Sequence, residues 1–295
     1  LHHQFTLHAV IPAPRTIHTR LYVNNEYAGL YVIVESVDKE MLARVFGAIG
    51  EDTQNDGYLY EFKWMDDWKF GYLGDGLFEY KLRFEPTTHE SKSDEELYRP
   101  IETLIRLANS TPTDRVAAEL GPRLDIPAVI RFVAAQVFLA ETDGFLGGFG
   151  INNLYLYRLE NSDVHTFIAW DADNTFYDPQ YSINSGIDSN VLMRDFMAVP
   201  EYNAMYWAEM RRNVELAEAD DWLNTEAIRH ISRVDAAMAT STQALTSCPA
   251  CGIAFPLGAR FCPACGAGID RTQPKGAPAL RATLREPVDP LIGQV

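Results

Sequence analysis

The residues whose types and spacing could do chemistry concentrate between Glu141 and Phe176, in E-T-D-G-F-L-G-G-F-G-I-N-N-L-Y-L-Y-R-L-E-N-S-D-V-H-T-F-I-A-W-D-A-D-N-T-F. Asp143 opens a loop that contains Gly144, Gly147, Gly148 and Gly150, Asn152 and Asn153 follow, and Asp171 and Asp173 lie near the end. Carboxylates two residues apart point to one face if the strand stays extended. Hard oxygen donors of this kind suit a divalent cation such as Mg²⁺, which makes this a phosphate-handling arrangement. The alternative on the residues alone is that Asp171, Asp173 and Asn174 cap a strand and open a turn. A second chemical centre lies far downstream. All four cysteines fall in two C-P-A-C-G knuckles, Cys248/Cys251 and Cys262/Cys265, separated by ten residues. That spacing fits a tetrahedral, closed Cys₄ site for structural Zn²⁺.

The elements that must position the first centre are a hairpin and a helix. Leu154 to Leu159 and Val164 to Trp170 are rich in β-branched and aromatic residues and flank the turn formers Glu160-Asn161-Ser162-Asp163, a hairpin pattern. With Asn161-Ser162 central, Asn152 pairs opposite Asp171 and Asn153 opposite Trp170; a loop one residue longer puts Asn153 opposite Asp171. Either register brings an amide and a carboxylate together at the open end. Upstream, Asp125 N-caps a nearly all-apolar helix through Ala140, which delivers Asp143 to its loop.

Several separated stretches, in order, resemble one known family. Asn153-Leu-Tyr-Leu-Tyr157 and Phe167-Ile-Ala-Trp-Asp-Ala-Asp-Asn-Thr-Phe176, with Pro14-Arg-Thr16, Leu21 to Asp38 and Val199-Pro-Glu-Tyr202, are similar to the CotH kinase family, the spore coat protein H-like atypical protein kinases. The resemblance spans about residues 10 to 240 and implies an α+β, protein kinase-like fold with N-terminal β hairpins and a helical C-terminal part carrying the catalytic hairpin. It implies ATP and Mg²⁺ as cofactors and Ser/Thr hydroxyls of a protein substrate as acceptors. Asp143 would be the catalytic carboxylate, and Asn153, Asp171 and Asp173 would hold Mg²⁺. The resemblance favours Asn153 as the metal amide and a strict two-residue turn favours Asn152, so both stand. A strand-borne base contacts nucleotide phosphates in kinases. Here the family's usual Gly-Asn-Leu-Tyr-Lys run has Glu61 at its Lys, and its Tyr-Glu-Leu-Lys run reads Tyr80-Lys-Leu-Arg83, which leaves Lys63 and Arg83 as the candidates. Glu35, closing an apolar strand, is either a strand end reaching solvent or a residue facing the nucleotide. These departures, with Tyr177 in place of the Gly that usually follows Thr-Phe, support a rival reading: a pseudokinase or structural coat protein that keeps the fold without turnover.

Composition bounds the rest. At 295 residues and 47% hydrophobic the chain can bury a substantial core. Its net charge of -16 disfavours nucleic acid as a partner and suits a metal or a basic protein substrate. No apolar run reaches the ~18 residues of a membrane span. No signal-peptide pattern opens the chain; it begins at Leu1 without Met, directly in family-like sequence, so a domain incomplete at its N-terminus is expected. Further expected elements are a hairpin over residues 19–37 around Asn24-Asn25-Glu26, a helix from Asp38 to Gly47, strands at 58–64 and 77–84, and a helix from Ser93. Helices are also expected at 190–196, 201–218 and 225–239, with Met205, Trp207, Met210, Ile228, Ile231 and Met238 in the core. His165 is read as a strand side chain. The domains expected are a kinase-like body to residue 246, a zinc ribbon at 247–268 and a disordered tail at 269–295. The resemblance implies a spore, cell-surface or secreted location, whereas thiolate zinc ligands favour a reducing compartment.

Overall fold

Alternation of buried side chains between the two sides of one small sheet organises the part of the chain that carries the candidate site. The computed structural model describes residues 1–24, 26–49, 52–242, 245–247, 254–256 and 282–287. In chain order its elements are α1 (His2–His8), β1 (Thr16–Val23), β2 (Glu26–Val34), α2 (Lys39–Phe46), β3 (Ala48–Ile49), β4 (Asp52–Thr53), β5 (Tyr58–Phe62), α3 (Phe78–Arg83), β6 (Phe84–Pro86), α4 (Asp94–Ser110), α5 (Val116–Leu120), α6 (Ile126–Phe138), β7 (Leu154–Arg158), β8 (His165–Ala169), α7 (Val191–Ala198), α8 (Pro200–Glu218), α9 (Trp222–Thr242), β9 (Leu245–Ser247), β10 (Ala254–Pro256) and β11 (Ala282–Pro287). This is an α+β chain, as expected. It divides into two units, the first comprising residues 1–15 and 35–223, the second residues 16–34 and 224–295.

In the first unit an antiparallel sheet runs β6-β5-β7-β8. Tyr60, Phe62, Leu154, Leu156, Phe167 and Ala169 face the main core, which α4, α6, α7 and α8 complete. Leu59, Tyr155, Tyr157 and Ile168 alternate to the other side, where Met41 and Leu42 of α2 cover them. This two-residue period is what a pleated strand buried on both faces requires. α2 starts where the sequence says it should: the Asp38 carboxylate accepts from the N–H groups of Glu40 and Met41. α6 is capped by Asp125, whose side chain accepts from Ala128 N–H. Nine of its residues are buried, and it packs on α8 and β8. No helix among the described residues is long and apolar enough to cross a membrane.

In the second unit β1 and β2 form the expected hairpin, and β11 pairs with β1 on its other side. Residues 282–287 therefore form a strand within the stretch expected to be a disordered tail; the remainder of that stretch lies outside the described residues. β9 and β10 pair antiparallel and flank, in sequence, the first cysteine knuckle. Cys248, Cys251, Cys262 and Cys265, the ligands of the expected zinc ribbon, lie outside the described residues.

Two local expectations fail. Residues 77–84, expected as one strand, instead form α3 up to Arg83 and only then enter β6. The buried positions are Tyr80, Arg83 and Phe84, with Phe78 and Leu82 exposed, so burial follows the helical spacing. Ile228 and Ile231 of α9, expected in the core, are exposed, whereas Met210 is buried and Met205 and Trp207 pack against the core.

Candidate functional site

The site is assembled where three loops meet at one end of this sheet. α6 ends in a turn with Ala140 at φ 53. The buried Gln136 then binds the loop that follows: its backbone O accepts from Glu141 N–H (2.9 Å) and its Oε1 from Phe145 N–H (2.9 Å). A Cβ on Gly144 would stand 2.6 Å from Gln136 Nε2, so only glycine lets the loop lie this close. Asp143 N–H donates to Glu141 Oε1 (2.8 Å), and Tyr181 Oη donates to the Glu141 carbonyl (3.2 Å).

From Gly144 to Gly150 the loop is held by the segment after β5. Trp64 Nε1 donates to Phe149 O (2.8 Å) and Ile151 N–H to Trp68 O (2.9 Å), while Gly150, at φ 107, rests directly on the Asp66 carbonyl and Asp67 backbone. The chain then delivers the two amides. Asn152 Nδ2 donates to Asp143 Oδ2 (3.2 Å); Asn153 Nδ2 donates to the same oxygen (3.0 Å) and to the Asp143 carbonyl (3.0 Å). Asn153 does so from a left-handed backbone, φ 56, a conformation Asn tolerates.

The β7/β8 register has Leu154 opposite Ala169 and Arg158 opposite His165. Continued outward by two residues, it sets Asn152 level with Asp171, the register of the two-residue turn. His165 is a strand side chain, as expected, and it is buried. The condition that the strand stays extended past Ala169 is not met, because Asp171 turns left-handed at φ 38. The chain then folds back onto the end of α6, with Thr142 N–H donating to Asn174 O (3.3 Å) and Phe176 N–H to Leu139 O (2.6 Å). Asp173 Oδ1 accepts from Asn174 Nδ2 (2.9 Å).

These carboxylates act on one another electrostatically. Burial, then Asp173 and Asp143, push the Asp171 carboxyl up. Burial pushes Glu141 up to about 7, and Asp143, Asp173 and Asp171 add to it against the opposing Asp143 N–H bond. Repulsion of this kind is what a bound cation relieves. Among the described residues no group of three or more His, Cys, Asp or Glu is arranged to hold a metal by itself. Mg²⁺ does not need such a cage, since it takes one or two carboxylates and keeps waters or substrate phosphates for its remaining positions. Asp171, Asp173 and the Oδ1 atoms of Asn152 and Asn153, whose Nδ2 groups face Asp143, are a hard donor set that fits. The buried Glu141 Oε2, which has no hydrogen-bond partner, points the same way.

The three remaining candidates stand in ion pairs of their own. Lys63 and Arg83 lie at the same sheet end as Asn153, joined by Lys63 N–H to Arg83 O (2.8 Å). Lys63 Nζ sits 2.7 Å from Glu61 and 2.9 Å from Glu85, with its side chain 40% exposed. Arg83 is 5% exposed at its side chain and binds Asp66 Oδ2 (2.6 Å) and Glu79 Oε2 (2.7 Å) beside the Trp68 ring. Glu35 accepts from Arg15 (2.7 Å) and Arg44 (2.6 Å); although partial burial acts to raise its carboxyl, these bonds outweigh it and hold the group down at about 2. Sequence reasoning assigned no role to Glu141, Gln136 or Tyr181. The available signal was a carboxylate directly after an apolar helix and two residues before Asp143.

Comparison with known proteins bears on the family of the chain. The CotH kinase protein family model matches residues 2–241. Inner spore coat protein H of Bacillus subtilis (strain 168) is 26% identical over 164 residues, 56% of this chain and 42% of that protein. The chain thus aligns with less than half the length of this relative.

Proposed function

Since the chain belongs to the CotH kinase protein family, we propose that it is a Mg²⁺-dependent phosphotransferase moving the γ-phosphoryl group of ATP to a Ser or Thr hydroxyl of a protein. The observation that carries this reading is the Asp143 carboxylate, held through Oδ2 by both asparagine amides and electrostatically coupled to Asp171. Its Oδ1 is left to accept the acceptor's proton as the hydroxyl oxygen attacks phosphorus and the bond to the β–γ bridging oxygen breaks. Asp171 and Asp173, with Asn153 or Asn152, would hold Mg²⁺, which when bound neutralises phosphate charge. Lys63 is the better placed of the two candidate bases. A half-exposed ammonium can leave surface carboxylates at little cost, whereas Arg83 is enclosed by its partners. Glu35 enters this reading on the nucleotide side, through the two guanidiniums it holds.

Two observations favour a second reading, a coat-type binding protein without turnover. Both candidate bases already have carboxylate partners, and the relative is named a spore coat protein. Incubation with labelled ATP, Mg²⁺ and a Ser-rich protein decides between them. Transfer by wild type, lost in Asp143→Ala and Asp171→Ala, supports the kinase; equal transfer by wild type and Asp171→Ala removes the site assignment. Binding of Mg²⁺-ATP with no transfer leaves the second reading. The four cysteines belong to the same proposal as ligands of one structural Zn²⁺ in a separately folding ribbon.

A further inference from the structure

We propose that Glu141 is a positioning residue of the cation site: Oε1 fixes the backbone of Asp143, and Oε2 accepts a hydrogen bond from the water shell of the cation that Asp171 and Asp173 would hold. The inference rests on the cation reading of this site and adds a residue to it. Glu141 is 3% exposed, and its Oε2 is buried with no hydrogen-bond partner. A carboxylate oxygen left without a partner in the interior carries a desolvation cost that a purely structural side chain would avoid, because Gln could accept from Asp143 N–H equally well. The residue is also held too firmly to swing out to solvent. Its N–H, its carbonyl and Oε1 are all engaged, by Gln136, Tyr181 and Asp143. The groups that act electrostatically on it are Asp143, Asp171 and Asp173, all negative. A buried, unpartnered acceptor among negative charges is matched by a hydrated divalent cation, whose water protons point outward from the metal.

The test is Mn²⁺ titration of the full chain by calorimetry, with thermal unfolding measured with and without the metal. Glu141→Gln keeps the bond to Asp143 N–H and the shape of the side chain. It should unfold at or above the wild-type temperature without metal, yet bind Mn²⁺ about 10- to 100-fold more weakly, the usual effect of losing a contact that orients a metal's shell. If Glu141→Gln binds Mn²⁺ like wild type while Asp171→Asn has lost binding, the role of Glu141 is refuted and the cation site stands. A lowered unfolding temperature with unchanged affinity makes Glu141 structural only and refutes it too. No binding by wild type overturns both ideas. Should the Gln variant not fold, the carboxyl ¹³C resonance of Glu141 in wild type answers instead. Mn²⁺ should broaden it together with those of Asp171 and Asp173, and an unbroadened signal refutes the proposal.

Discussion

Replacing Arg83 separates a clamp from a phosphate contact. Its guanidinium bridges Asp66 and Glu79, carboxylates that are 51% and 46% exposed, while its own side chain is 5% exposed. Removing it strands no buried anion, since water can solvate both partners. Each bond, made to a half-exposed carboxylate, is then worth about 0.5 kcal/mol, near the surface-pair range. The two buried methylenes lost on truncation to Ala, Cγ and Cδ, contribute about 0.8 kcal/mol apiece. Arg83→Ala should therefore cost about 3 kcal/mol, and Arg83→Met, which keeps the apolar stem, no more than about 1 kcal/mol because relief of the buried charge offsets the lost pairs. The assay is urea unfolding read as a midpoint shift at constant slope, beside calorimetric titration with Mg²⁺-ATP. A structural clamp predicts ATP affinity in Arg83→Met within twofold of wild type, and Lys63→Met as the variant that weakens it. An Arg83→Met protein of wild-type stability with ATP affinity down tenfold or more would refute this reasoning and make Arg83 the phosphate base.

Three further outcomes follow from other parts of the chain. Glu35, held at about 2 against an ordinary 4.5, contributes stability that is present above pH 4.5 and lost as pH falls from there towards 2. Discounted for its partial exposure, the contribution is about 1–2 kcal/mol, and Glu35→Gln should remove that part of the acid-dependent loss of urea midpoint; an identical pH profile in wild type and variant contradicts it. Gly150→Ala meets both a left-handed φ of 107 and the Asp66 carbonyl, so it should destabilise by about 2 kcal/mol or more and reduce phosphotransfer by displacing the Asp143 loop. Full activity and stability in that variant would show that the loop is not held as described. Elemental analysis should find about one zinc per chain, falling to none when residues 247–268 are deleted, as a Cys₄ site implies; thiols found oxidised in the isolated protein would contradict it.

Local rules read several of the elements that carry the candidate site correctly. Short polar residues at 160–163 set the β7/β8 register, and with it the level at which Asn152 meets Asp171, because a turn length dictates which residues face each other. Asp38, Ser93, Asp125 and Asn190 cap helices by a chemistry that needs only the next three residues. Where patterns were ambiguous, distant neighbours decided. Phe78 to Phe84 alternates like a strand, yet Tyr80, Arg83 and Phe84 are the side chains that find the core, against α4 and the Phe62–Trp68 rings, so the segment coils. Arg44, Glu85 and Asp66, which pair with Glu35, Lys63 and Arg83, lie 9, 22 and 17 residues from them in sequence, so these charges read alike until the fold pairs them. Glu141 is the clearest case. The sequence places it two residues before Asp143, but only the fold buries it, leaves one oxygen without a partner and brings the charges of Asp171 and Asp173 to bear on it. Desolvation and repulsion depend on what surrounds a group in space, and the tertiary structure alone supplies those surroundings.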